Sequence, residues 1–291
     1  NNYDGSPDFY LSNSYLKLML QDKPVVDPRI RYYFYRQSSS APSGQNLPCA
    51  TNPNIPICYI SGSLYWGRDH ADESGLPNDA ARKSVVGLYP AGGRFDSNNN
   101  QQANTGAALN NAMGAGVLNI LDYSFVQFMI AELTLTEPGV IGNAGSALTT
   151  AVTSNINKVM NFNTSVLRAN NGSVSTFIPS STIVTSYINE VNTRFSSATT
   201  DQERLNIIIK EFFVASWGNG MEAYNMYRRT GMPLRNPQNL GIQSPVTSAG
   251  EFIRSFPYPN NAILNNSNIE QKLQTERVFW DNNPAGVTFI D

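Results

Sequence analysis

The residues best suited to chemistry lie in one short stretch, residues 65–77, which reads YWGRDHADESGLP. It combines two aromatic rings with charged side chains. Sugar rings pack their apolar faces on aromatic side chains while Arg and Asp hydrogen-bond their hydroxyls, and peptides use similar apolar pockets with polar edges. Tyr65, Trp66, Arg68 and Asp69 are therefore predicted to bind a ligand. The alternative is that Tyr65 and Trp66 anchor a long loop to the core.

The same stretch contains the single histidine of the chain, His70. A zinc site needs three or four ligands, and no second histidine or close cysteine pair supplies them. A calcium site with oxygen ligands from Asp69, Asp72, Glu73 and Asp79 is chemically feasible, although the spacing differs from that of an EF-hand loop. We predict no cofactor and no metal. Calcium at Asp69, Asp72 and Glu73 is the alternative to a solvated or loop-structuring role for these carboxylates.

Catalytic motifs are missing from the rest of the sequence. There is no G-x-S-x-G of a serine hydrolase and no phosphate-binding G-x-x-x-x-G-K-[ST]. Gly218, Gly220 and Ala223 match a dinucleotide-binding pattern, but a helix rather than the required strand is predicted before them. Glycosidases need only two carboxylates, and any sequence offers such a pair. The sequence therefore favours a binding protein over an enzyme.

The composition points to a neutral hydrogen-bonding ligand rather than a polyanion. Charged residues make up 14% of the 291 residues, and the net charge is −2, whereas about 25% charged residues is usual. Asn, Ser, Thr and Tyr supply the polar surface instead. The charge gives no reason to expect nucleic acid or an acidic membrane as a partner. No apolar run approaches the roughly 20 residues that a transmembrane helix needs.

The two cysteines, Cys49 and Cys58, lie in a stretch rich in Pro, Ser and Asn. Their spacing is poor for zinc. A disulfide that closes a surface loop is one interpretation for an exported protein, and two free thiols is the other.

Helical periodicity marks four segments before residue 200, and together they predict a mainly α fold with little β structure. The segments are Phe9–Leu20, Leu121–Leu133, roughly Ala144–Met160 and Ser181–Phe195. Such an alternation of paired helices is what a helical-repeat scaffold requires, although no 34-residue consensus is visible. Between the first two segments, residues 37–118 are rich in Gly, Pro, Ser and Asn and are predicted to form a loop-rich insertion.

The stretch from Thr200 to Gly231 predicts two helices with a joint between them. Thr200 and Glu203 can form a capping box, and a helix then runs to the joint at Gly218-Asn219-Gly220. The second helix ends at Gly231, which can take the left-handed cap conformation. Trp217 stands at the joint, where it is predicted to be a core anchor; the alternative is a platform for a ligand.

Several motifs resemble the SusD/RagB family of surface lipoproteins. Residues 215–224, ASWGNGMEAY, and 227–231, YRRTG, resemble its C-terminal helical signature, and RSFPYP at 254–259 and VFWD at 278–281 follow in the order of its ending. Asp27-Pro28-Arg29 resembles a family turn in which the Asp caps the turn before a strand-like segment. The resemblance spans about Phe9 to Asp281.

The resemblance implies a fold, a partner and a location. The fold would be a tetratricopeptide-like scaffold with long irregular loops, forming one SusD-like domain over residues 1–291. This domain would be the C-terminal part of a longer lipoprotein whose first helices and lipid anchor, its only membrane contact, are not in this chain. At the outer membrane, on the cell surface, it would capture an oligosaccharide or a peptide and pass it without catalysis to a SusC-like TonB-dependent transporter. Trp217, Tyr224, Arg228 and Trp280 belong to the shared motifs and are predicted to be structural.

Two other functions remain open at this point. One is a secreted carbohydrate-active enzyme with an all-helical scaffold, and the other is a structural subunit of a surface complex with no ligand of its own.

Overall fold

The structure is a computed structural model that describes residues 10–37, 64–67, 83–98, 112, 114–164, 174–233, 254–273 and 275–281. About 51% of it is helical and 4% is strand, which confirms the predicted mainly α fold. Tetratricopeptide-like repeats are not confirmed. The predictions for Cys49, Cys58, Arg68, Asp69, His70, Asp72, Glu73 and Asp79 lie outside the described residues.

The long described helices lie in the predicted segments. The described helices are α1 (Asn13–Leu20), α2 (Ile30–Tyr33), α3 (Tyr123–Thr136), α4 (Ala144–Met160), α5 (Ser181–Ser197), α6 (Asp201–Ala215), α7 (Gly220–Thr230) and α8 (Asn260–Leu264), with a 3-10 turn at Ser175–Phe177. The two short helices, α2 and α8, lie where no helix was predicted. Strands β1 (Phe34–Tyr35) and β2 (Val85–Val86) pair antiparallel.

Side-chain caps fix where the long helices begin. Asp122 accepts a hydrogen bond from the amide of Phe125 at the start of α3, and Asn143 and Ser180 cap α4 and α5 in the same way. At α6 the predicted capping box is present, with Thr200 and Glu203 each accepting from the other's backbone. Each cap satisfies amides that have no partner within the helix, which is why short polar residues precede every apolar stripe.

Four helices form one of the two main cores. Helix α3 packs on α4 and α6, α4 packs on α5 and α6, and α5 packs on α6. Phe212 of α6 stacks on Phe128 at 5.0 Å and meets Phe125 edge-on at 5.2 Å. These rings are at most 1% exposed, so this core buries Phe125 and Phe128 of the apolar face of α3, whereas Leu133, further along the same helix, is 45% exposed.

A second, aromatic core lies where the first helices meet the joint after α6. Trp217 packs on Tyr15 at 5.0 Å, on Phe34 at 4.9 Å and, in a stacked arrangement, on Tyr33 at 5.8 Å. Such contacts stabilise beyond the area that they bury. The predicted role of Trp217 as a packing residue therefore agrees with its position.

The joint itself depends on glycine. Gly218 has a φ of +88°, and a Cβ added there would come within 2.5 Å of the Pro90 ring. Both the left-handed backbone and the close contact exclude larger residues. Asn219 then caps α7 by accepting from the amide of Glu222, and Gly231 ends α7 with a φ of +70°, as predicted.

A buried network of charges joins the turn before α2 to the helical core. The carboxylate of Asp27 accepts from the Arg29 amide and, at 2.9 and 2.6 Å, from Nε and Nη2 of its guanidinium. Nη1 of Arg29 donates to Asn155 of α4 at 2.7 Å. The predicted Asp cap is therefore present, but the next residues form a turn of helix before strand β1 begins at Phe34, because Arg29 is held inward by α4.

Helix α6 supplies the second carboxylate of this network. Glu211 accepts from Tyr187 at 2.8 Å and pairs with Lys23 at 2.6 Å, and Arg29 lies 3.5 Å from it. Burial on its own would raise the pKa of Asp27, but the adjacent Arg29 guanidinium holds that pKa below its usual value. Burial likewise opposes the charge of Lys23, yet Glu211 raises the pKa of Lys23 above its usual value. Asp27 and Lys23 are therefore charged at neutral pH.

The described part of residues 37–118 contains strand β2 and is otherwise irregular, and much of it is buried. Leu88, Tyr89 and Phe95 are fully buried in the aromatic core. Asp96 accepts from Tyr65 at 2.8 Å and from Arg36 at 2.6 Å. This segment therefore contributes packing to the scaffold as well as connecting it.

Candidate ligand-binding cleft

The structure places the two predicted aromatic ligand contacts inside the protein. Tyr65 and Trp66 are each 3% exposed. The Tyr65 ring packs against Phe34, with centroids 6.3 Å apart, and the Trp66 amide and carbonyl both pair with Ser84. Neither ring offers an open face, so this arrangement favours the alternative in which both anchor the segment. Binding by Arg68 and Asp69 stays a prediction, since both lie outside the described residues.

Replacing Trp66 with alanine tests the two roles of this residue against each other. Because the ring is buried, we expect the Trp66→Ala variant to lose about 2 kcal/mol or more of unfolding free energy, measured by chemical denaturation. The conservative variant Trp66→Phe should lose less. A Trp66→Ala protein of unchanged stability that binds ligand more weakly would instead restore the ligand-contact prediction.

Two further findings on the described residues concern metal ions and membranes. No group of three or more His, Cys, Asp or Glu within them could hold a metal ion. No described helix is long and apolar enough to cross a membrane. The calcium prediction at Asp69, Asp72 and Glu73 is untested, since these residues are not among those described.

An open cleft with exposed aromatic side chains lies between α7 and the C-terminal segments. Its volume is about 760 Å³, a size typical of small-ligand sites. We call it the aromatic cleft. Three of its rings are exposed to solvent: Tyr224 at 42%, Phe256 at 74% and Trp280 at 66%. Tyr224 and Phe256 lie 6.5 Å apart with their planes inclined by 29°, which makes a nearly continuous apolar surface.

Ion pairs hold the two C-terminal segments against α7. Asp281 lies 3.2 Å from Arg254 and 3.8 Å from Arg228, and its side chain is only 2% exposed. Arg228 also donates to the carbonyl oxygen of Arg254 and to the Tyr224 hydroxyl, both at 3.1 Å. The Asp281 carboxylate, between two guanidiniums, thus fixes the C-terminal segments relative to α7. These charged groups stabilise the shape of the cleft.

Helix α7 can form a wall because most of its surface faces outward. Met226 is its one buried residue, while Tyr224 and Asn225 are exposed and line the cleft with Glu222. The lining therefore combines apolar rings with a neutral amide and a carboxylate. Such a lining can pack on an apolar face and hydrogen-bond the polar edge of the same ligand.

Three of the residues predicted to be structural belong to this lining: Tyr224, Arg228 and Trp280. Arg228 does hold the cleft together, but most of the Trp280 surface is open to solvent. Sequence reasoning did not single out Phe256, although it lies in the same tail motif as Arg254. One feature of the sequence could have indicated this site: the tail places several aromatic residues beside charged residues of opposite sign.

These features are those of a binding protein built on a helical scaffold. A family model described as SusD-like, SusD and RagB outer membrane lipoprotein, matches residues 78–279 of the 291-residue chain. The chain therefore belongs to the SusD-like family. Searches of curated proteins and of solved structures gave no match. The matched range includes α7 and most of the aromatic cleft, and the resemblance of residues 9–77 lies outside it.

Family membership supports an outer-membrane location, since the family is one of outer-membrane lipoproteins. Its members are generally binding proteins without catalytic activity, and they are associated in general with SusC-like TonB-dependent transporters.

Proposed function

We propose that the protein captures a glycan or a peptide in the aromatic cleft and delivers it, without catalysis, to a TonB-dependent transporter of the SusC type. It would act at the cell surface, held there by a lipid anchor. The observation that carries the proposal is the group of exposed rings, Tyr224, Phe256 and Trp280, in one cleft of about 760 Å³.

The exposure of these rings needs a functional reason because it is unfavourable for a free protein. Burying a large apolar side chain stabilises a protein by about 1.5–3 kcal/mol, and here three such side chains converge in a concave site while remaining open to solvent. Clustered exposed apolar side chains with polar neighbours are typical of ligand-binding grooves.

The test is calorimetry of the pure protein against a panel of neutral oligosaccharides and a panel of short peptides. We expect one panel to contain a ligand whose affinity falls about tenfold or more in the Trp280→Ala variant, because tenfold corresponds to about 1.4 kcal/mol and loss of an aromatic ring that packs on a ligand can cost that much. The melting temperature should stay within a degree or two, since Trp280 is 66% exposed.

The matched control is Leu264→Ala, an exposed residue of the same C-terminal region that does not line the aromatic cleft. Equal affinity in the Trp280→Ala variant and the wild type would contradict the site. Release of reducing sugar or peptide fragments would favour the enzyme alternative. No binding in either panel, with a transporter still co-purifying, would favour the structural-subunit alternative.

A further inference from the structure

A second groove adjoins the aromatic cleft, and the ion pair between Arg229 and Glu132 lies between the two. It lies between α3, the start of α6 and the end of α7, and its volume is about 510 Å³. Met129 and Arg229 line both grooves, so a ligand can pass from one to the other. We call this second groove the aliphatic cleft.

The lining of the aliphatic cleft has aliphatic side chains rather than aromatic ones, beside the charged side chains of Glu132, Glu137 and Arg229. Met129 and Leu133 of α3 and Leu205 of α6 contribute side chains. Thr136 and Thr230 also line it, but their hydroxyls donate to the carbonyl oxygens of Glu132 and Met226 within their own helices. With the hydroxyl protons engaged in this way, the two threonines offer a ligand their methyl groups and acceptor oxygens but no donor.

The ion pair between the two clefts is firmly held and still offers donors. Arg229 donates from Nε to Glu132 at 2.8 Å and from Nη2 to the other carboxylate oxygen at 2.7 Å. Glu132 is 8% exposed, whereas the Arg229 side chain is 45% exposed. A guanidinium carries five N–H donors, and no hydrogen bond from Nη1 of Arg229 occurs in the described part of the chain.

The two clefts therefore match a ligand with a carbonyl oxygen beside a branched aliphatic group. The carbonyl can accept from the exposed N–H groups of Arg229, and the aliphatic group can pack on Leu133 and Leu205. A leucine-type residue of a peptide carries both features on one Cα. A plain oligosaccharide has no aliphatic side chain to pack on Leu133 and Leu205, and hydroxyls buried against these two side chains would have no partner there, which is unfavourable.

We propose that the ligand is a short peptide that continues from the aromatic cleft past Arg229, and that the aliphatic cleft is a second subsite for a leucine-like side chain. This inference rests on the proposed function, because it extends the ligand of the aromatic cleft, but the second subsite can be measured separately.

The probe is N-acetyl-leucine methylamide, titrated into the full chain with labelled leucine methyl groups and followed by NMR. We expect saturable shifts at Leu133 and Leu205. The control probe N-acetyl-asparagine methylamide has the same amides and a similar size with a polar side chain, and it should bind at least tenfold more weakly. Equal binding of both probes, or no shift at either leucine, would overturn the inference.

A matched pair of variants on α3 tests the subsite in the protein itself. Leu133 and Ile130 are 45% and 39% exposed, and Ile130 lines neither cleft. Leu133→Gln should weaken the leucine probe about tenfold, whereas Ile130→Gln should leave it unchanged. Similar effects of both variants would contradict the subsite.

The two proposals can fail separately. If an oligosaccharide binds the aromatic cleft in a Trp280-dependent way and the leucine probe shifts neither Leu133 nor Leu205, the proposed function stands and the peptide inference is wrong. If no ligand binds the aromatic cleft but the probe shifts both leucines and loses affinity in Leu133→Gln, the proposed function is wrong and the subsite stands.

Discussion

Replacing Arg29 with alanine is expected to lower the free energy of unfolding by about 3–5 kcal/mol. The guanidinium is fully buried and lies against Asp27 at 2.6 Å and Glu211 at 3.5 Å. Its removal leaves the carboxylate of Asp27 without its main partner in a site that excludes water. Whole domains are stable by about 5–15 kcal/mol, so this loss should be plain in urea or guanidinium unfolding.

Two further variants keep this prediction testable if the alanine variant does not fold. Arg29→Lys retains a charge but loses the forked contact with Asp27, so it should be intermediate in stability. Arg204→Ala breaks an exposed pair with Asp201 and should cost less than about 1 kcal/mol. An Arg29→Ala protein as stable as the Arg204→Ala protein would show that the network does not stabilise the fold.

The network also predicts how stability depends on pH. The pKa of Asp27 is lowered in the folded protein, so its contribution is present above the unfolded value of about 3.9 and is lost as pH falls through the folded value. The pKa of Lys23 is raised, so its contribution is present below about 10.4 and is lost as pH rises further. The Arg29→Ala variant should show a weaker loss of stability in acid than the wild type.

Replacing Trp217 with alanine should also cost about 3–5 kcal/mol. The indole contacts Tyr15, Tyr33 and Phe34 with ring centroids 4.9–5.8 Å apart, and its removal would leave a cavity between them. The cavity cannot close easily, because the joint beside it is fixed where Gly218 meets Pro90. Thermal and denaturant unfolding would measure the loss.

The matched control is the other tryptophan of the family motifs. Trp280→Ala removes an indole that is 66% exposed, so it should change stability little and ligand affinity strongly. Trp217→Phe should cost less than Trp217→Ala, since the indole Nε1 is buried without a hydrogen-bond partner among the described residues. If Trp217→Ala were stable and Trp280→Ala unfolded, the assignment of core and cleft would be reversed.

The helices and their boundaries could be predicted because their determinants are local. The Thr200–Glu203 capping box spans three positions and the left-handed cap at Gly231 spans four, and the joint at Gly218 was visible from its glycine; all three are present. The four-residue spacing of apolar side chains in α4 and α5 is a property of one helix at a time. Family motifs extended this reasoning, and the family match over residues 78–279 agrees with it.

The buried charges could not be predicted in the same way. Arg29 pairs with Asn155 and Glu211, which lie 126 and 182 positions further along the chain. Nothing in the local sequence distinguishes this arginine from a solvated one. The turn formed by Asp27 was visible in the sequence. The role of Arg29 in joining that turn to α4 and α6 was not, because it depends on how the helices pack.

The sequence by itself determined the family, the mainly α class and the helix limits, because these follow from short-range patterns. Only the tertiary structure decided which aromatic residues face solvent. Tyr65 and Trp66 lie in a stretch rich in charged residues yet are buried, whereas Phe256 and Trp280 lie in the tail that carries the family motifs yet are exposed. The reason is that exposure depends on what packs on a side chain. Asp281, Arg254 and Arg228, far apart in the chain, meet and hold the tail open beside α7.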